Sequence, residues 1–103
     1  MLLSTTSTIE NRAIKEYRGV VFGEVINGIS YTKDFAASFT NFAGGRSKEY
    51  EEELINSRAD ALNELMARAE KVGANAVIGL HIDYETINSM LLVVASGTAV
   101  VIE

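Results

Sequence analysis

The chain contains no cysteine and no proline. Without a thiol there is no disulfide, no thiolate metal centre and no cysteine nucleophile, and redox chemistry gives no guide to compartment. Without proline or any low-complexity stretch, nothing marks a linker, so one domain spanning 1–103 is expected. Basic residues are few and scattered, 9 Lys and Arg against 14 Asp and Glu, for a net charge of −5. Clustered Lys and Arg supply most of the affinity for phosphate backbones, so a nucleic-acid partner is not expected. No apolar run approaches the roughly 18 residues of a membrane span. The opening Met-Leu-Leu-Ser-Thr-Thr lacks the basic and long apolar regions of a signal peptide. A soluble cytoplasmic protein is expected, with no membrane association. What the chain does have is apolar content, 48% hydrophobic against 22% charged residues, as in a globular domain.

That content concentrates in residues 89–102, Ser-Met-Leu-Leu-Val-Val-Ala-Ser-Gly-Thr-Ala-Val-Val-Ile. Alternate strand residues point to opposite faces. One set here is Leu91, Val93 and Ala95 and the other Leu92, Val94 and Ser96, followed by Ala99 and Val101 against Val100 and Ile102. Both faces are apolar and both need cover. A chain this short covers one with its own helix, and a second subunit is expected on the other.

The rest of the chain reads as alternating strands and helices. Leu2–Thr6 is a short first strand, and residues 13–26 hold a second in which Gly19 and Gly23 signal bulges or a close backbone approach. Asn27-Gly28 marks a turn. Tyr31, Phe35, Phe39 and Phe42 recur at helical spacing and predict a core-facing helix ended by Gly44-Gly45. Ser47 caps the next helix, Glu49, Glu51, Glu52 and Glu53 suit its positive end, Arg68 and Lys71 its negative end, and Gly73 stops it. Tyr50, Leu54, Ala61, Leu62, Leu65, Ala69 and Val72 share its apolar arc. A strand follows over Asn75–Thr86, with Ile78, Leu80, Ile82 and Tyr84 on the buried face and Gly79, His81, Asp83 and Glu85 opposite. A turn at 87–88 leads into the final strand. The order β-β-α-α-β-β predicts an α+β domain, two helices on one face of a mainly antiparallel sheet.

Three places could carry chemistry. His81, Asp83 and Glu85 share a strand face, and imidazole with carboxylates can ligate a divalent transition metal such as Zn²⁺. Neighbours at i and i+2 stand roughly 6.5–7 Å apart along a strand, so three ligands converge only if they lean together or if several subunits contribute. The structural account is a solvated polar face. Gly44-Gly45-Arg46-Ser47 at a helix start offers free amides, the helix dipole and a guanidinium to a small anion. Four glutamates follow closely, and the pattern lacks the spacing and lysine of a P-loop, so a structural turn with an N-cap is the simpler account. Arg58 falls in the middle of the apolar arc, between Leu54 and Leu62. There it snorkels, binds an anion, or pairs with Asp34, Glu24 or Asp83. No catalytic set emerges, so the protein is not expected to be an enzyme.

Taken jointly, Gly44-Gly45-Arg46-Ser47 with Tyr50 and Glu51, Arg58, Ala61-Leu62, Gly73-Ala74-Asn75-Ala76-Val77, Asp83-Tyr84 and Gly97-Thr98-Ala99-Val100 resemble the YbjQ family. That bacterial group is also described as a proposed heavy-metal-binding domain. The resemblance covers essentially the whole chain. It implies a small α+β subunit of dodecin-like fold assembled into a ring-shaped homopentamer. With no thiolates, the metal ligands left are His81, Asp83 and Glu85, while Arg46, Ser47 and Arg58 remain for an anionic ligand. The expected function is therefore a small oligomeric protein binding a metal ion or small ligand at a subunit-shared site. The alternatives are a non-catalytic scaffold or interaction module and, more weakly, a small hydrolase.

Overall fold

In a computed structural model of the chain, which describes residues 1–28 and 48–103, one long helix lies on a four-stranded mixed sheet. The strands are β1 (Leu2–Leu3), β2 (Ile14–Gly28), β3 (Ala76–Ile87) and β4 (Met90–Ile102), and the helix α1 spans Lys48–Lys71. The sheet order is β1-β3-β4-β2. β4 pairs antiparallel with both long neighbours, and only the two-residue β1 runs parallel, to Ala76 and Val77. The aromatic stripe Tyr31–Phe42, its Gly44-Gly45 stop and the Ser47 cap lie outside the described residues. One of the two expected helices is therefore described.

The local signals explain the boundaries. Glu49 and Glu51 occupy the first turn of α1 and Arg68 and Lys71 the last, each complementing the helix dipole. Gly73 adopts φ +80° and donates to the Glu70 carbonyl at 3.0 Å, while Ala74 donates to the Ala69 carbonyl at 3.0 Å. That pair of bonds is a Schellman stop, which needs the left-handed residue supplied by glycine. Asn88 and Ser89 both take positive φ, 47° and 68°, and Ile87 pairs with Met90. This is a two-residue type I′ hairpin, whose twist matches the flanking strands.

The core forms where α1 meets the sheet. Ala61, Leu65 and Ala69 pack against Val21, Val77, Leu91, Val93, Ala95 and Ala99. The contact is close because Gly23 faces the helix. A Cβ built there would collide with the carbonyl oxygen of Ala61 and stand 2.8 Å from the Leu65 amide nitrogen. Of the two roles open to this glycine, close approach is the one realised. Beside it, Asn27 Nδ2 donates to Glu53 Oε1 at 2.9 Å and to Ser57 Oγ at 2.5 Å, joining β2 to the fully buried Ser57.

Two expectations need correcting. The strict alternation read for β3 fails, because a bulge intervenes between the pairs Ile78–Thr98 and His81–Ser96, with Gly79 at φ +60°. One extra residue flips the pattern. Ile78 joins a second cluster with Ala76, Val100 and Ile102, while Leu80 and Ile82 pack in the helix-covered core. Arg58 does not sit in the apolar arc either. The inward side of α1 passes through Ser57, and Arg58, 100° further round, is exposed, as are Ile55 and Val72.

The expectation for β4 is met on one face and revised on the other. Leu91, Val93, Ala95 and Ala99 are buried under α1. Opposite, Val100 and Ile102 are covered by the same chain, through Ile9 and Ile14. The segment between β1 and β2 is held there by its backbone and one arginine. Arg12 Nε donates to the Glu103 carbonyl at 2.5 Å, and the Glu103 amide to the Ala13 carbonyl at 3.1 Å. Asn75 holds the strand end, donating to the Ile102 carbonyl at 2.9 Å and accepting from its amide at 2.7 Å. Further along this face, Leu92, Val94, Ser96 and Thr98 are only half-buried, and no element of the described residues lies over them.

Candidate functional site

The uncovered part of the sheet collects one of the groups singled out from sequence. Register places Phe22 and His81 on either side of Ser96, Glu24 and Asp83 on either side of Val94, and Ile26 and Glu85 on either side of Leu92. The face is thus an apolar strip with Phe22, Glu24 and Ile26 along its β2 border and the polar row His81, Asp83 and Glu85 along its β3 border. Its β2 side chains stand in the open, with Val20 68%, Phe22 45% and Ile26 63% exposed. Isolated exposed apolar residues are ordinary, but here three of them, interrupted only by Glu24, stand beside half-buried leucine and valine.

Within the proposed ligand set, His81 Nε2 lies 3.0 Å from Asp83 Oδ1, and both side chains are well exposed. The strand pleat sets them on one face and the rotamers lean them together. Glu85 is not gathered with them. No three His, Asp or Glu side chains among the described residues converge into a cage. One chain supplies a two-group start, short of the four ligands of a structural zinc centre. Arg46 and Ser47, the expected anion-binding pair, lie outside the described residues.

Arg58 belongs to a different place, on the helix side. With Tyr50, Glu51, Leu54, Ile55 and Tyr84 it lines a cleft of about 650 Å³ between α1 and β3. Of its suggested partners, Glu24 instead meets Arg68, and Asp83 meets His81. Asp34 is outside the described residues. Tyr84, read from sequence as buried, is 45% exposed at this cleft. Sequence reasoning missed the cleft because its wall combines more than two turns of helix with a strand residue some 26 positions away in the chain, Tyr84.

The outer edge of β2 has its own guard. Arg68 Nη1 donates to the Phe22 carbonyl at 2.8 Å and to Glu24 Oε1 at 3.0 Å, and its Nη2 pairs with Glu64. Since β2 is an edge strand, this guanidinium occupies a carbonyl that would otherwise await another strand. At the other edge, the Ser4 amide, the Ser4 carbonyl and the Thr6 carbonyl bond Val77, Leu80 and Gly79 respectively, extending the cover begun by β1.

Fold and face together define a class: a small α+β domain with one sheet face under a helix and part of the other covered by none of the described residues. The chain belongs to the YbjQ family, whose model, described as "Putative heavy-metal-binding", matches residues 1–103. A UPF0145 protein of Clostridium kluyveri is 59% identical over the full length of both chains, and one of Acetivibrio thermocellus is 56% identical over the same extent. A UPF0145 protein of Listeria welshimeri is 55% identical, covering 100% of this chain and 96% of its own. The crystal structure of a protein of unknown function from Pediococcus pentosaceus superposes with a TM-score of 0.70, covering 100% of this chain and 98% of its own. At 17% identity that likeness concerns the fold alone. None of the described helices is long and apolar enough to cross a membrane.

Proposed function

We propose that the chain is the subunit of a cytoplasmic, ring-shaped homopentamer that binds a metal ion or small ligand at a site shared between subunits, without catalysing a reaction. The observation that carries this reading is the open apolar strip with the His81–Asp83 pair on its border. The strip gives copies a reason to associate, and the pair offers two ligands that a neighbouring copy would complete, with Glu85 within the same row. Shape supports it: the radius of gyration is 16.9 Å, where a compact chain of about 100 residues reaches about 13 Å. An elongated protomer gains its missing burial from neighbours. The family's description supports a metal, and the absence of cysteine directs the choice to His81 and carboxylates.

Native mass spectrometry and light scattering test assembly and ligand together. The expected particle is five copies of the 11.2 kDa chain, and Phe22→Ser with Ile26→Ser is expected to shift it to monomer. A monomer at micromolar concentration in the unaltered protein overturns the ring. Micromolar Zn²⁺, Ni²⁺ or Cu²⁺ is expected to raise the melting temperature through binding linkage, and His81→Ala to abolish the rise. No response to any of the three metals removes the metal site. A specific protein captured by the open face in place of further copies would favour the scaffold reading.

A further inference from the structure

We propose that the cleft between α1 and β3 is a second, independent ligand site, built within one subunit, for a planar aromatic carboxylate. Tyr50, Leu54 and Arg58 follow one another at i, i+4 and i+8 and so form a single row along the helix, with Glu51 and Ile55 in the row beside it. Tyr84 faces them from β3. The volume of this open cleft, about 650 Å³, lies in the range of small-molecule sites, which run from about 300 to 1,000 Å³. Its lining has the usual composition of such sites, aliphatic and aromatic walls with a few polar groups that fix orientation.

Charge and shape choose the class of ligand. Among the described residues Arg58 has no ion-pair partner, whereas Arg18, Arg68 and His81 each hold a carboxylate. A guanidinium beside apolar walls suits a carboxylate, which it can grip with two parallel hydrogen bonds. The exposed flanks of Tyr84 and Ile55 offer a flat apolar wall to a ring, and tyrosine stacks offset or edge-on. A single carboxylate on a flat ring satisfies both conditions.

The probe is 2-naphthoate, titrated into the intact protein by calorimetry and by ¹H–¹⁵N spectra, with EDTA present throughout. Binding is expected at submillimolar concentration, with the shifts centred on residues 50–58 and 84. Arg58→Gln is expected to weaken it at least tenfold, and Tyr84→Ala about fivefold, with melting temperatures confirming that both variants fold. His81→Ala is expected to leave it unchanged, which separates this site from the shared metal site. No binding at millimolar naphthoate, equal binding of uncharged 2-naphthalenemethanol, or full binding by Arg58→Gln would each overturn the proposal. Shifts centred on Phe22 and Ile26 would do so as well, by assigning the probe to the open strip.

Discussion

The helix-free face of the sheet has two ends that differ in what covers them. At one end Val100 and Ile102 are buried by Ile9 and Ile14 of the same chain. At the other, among the described residues, Leu92 and Val94 are flanked by Phe22, Glu24 and Ile26 on one side and Asp83 and Glu85 on the other. Both ends are built from the same uninterrupted strand with the same apolar alternation. Composition therefore does not decide which end is dry. The deciding element is a ten-residue excursion between β1 and β2, tied down by the Arg12–Glu103 contact. This segment reaches over one end of the face and stops, so among the described residues the other end is left without cover from it.

The largest expected break in that comparison is a matched pair of truncations. Ile102→Ala empties a position that is 3% exposed and should cost about 2–5 kcal/mol in urea unfolding, whatever the protein concentration. Ile26→Ala, at the other end, should cost stability only as concentration rises if, as proposed, what it removes is contact between copies. Equal, concentration-independent losses at both positions would mean that the two ends are covered alike.

A second substitution sharpens the contrast between the two faces. Gly23→Ala drives a methyl into the Ala61 carbonyl and the Leu65 amide, which are helix backbone and cannot rotate aside. A loss of about 2–3 kcal/mol is expected by thermal unfolding, at the upper end of ordinary overpacking. A neutral result would show that α1 does not sit down on β2 at this point.

The smallest effect belongs to the sheet edge. Arg68→Ala removes partly exposed ion pairs, each worth no more than about 1 kcal/mol, and bares the Phe22 carbonyl. Stability should barely move while turbidity on prolonged incubation rises. Unchanged turbidity would assign the edge protection elsewhere.

Much of this architecture is legible in the chain, because its signals are local. Gly73 after a lysine-ended amphipathic run, the acidic first turn of α1 and the apolar alternation of β4 each follow from a few adjacent residues. The candidate sites were less legible, since they depend on distant pairings. Ser57 is a residue type usually found outside, and its burial is made tolerable by Asn27, 30 positions away. That displacement of one residue turned Arg58 from an expected buried charge into the wall of a cleft. Gly79 likewise reverses the faces of β3 only because a bulge forms against β4, and nothing in the alternation of Ile78, Leu80 and Ile82 announces it.

The Arg68 latch has a consequence for how copies can meet. A long β2 with all its outward carbonyls free would invite strand after strand to add without limit, the route to a ribbon or fibre. With Phe22 already engaged at mid-strand and Val77, Gly79 and Leu80 on the opposite border bonded to Ser4 and Thr6, lateral growth is interrupted along part of each margin. In the proposed assembly, encounters would then fall on the flat of the sheet, where a finite set of copies can close on itself and stop.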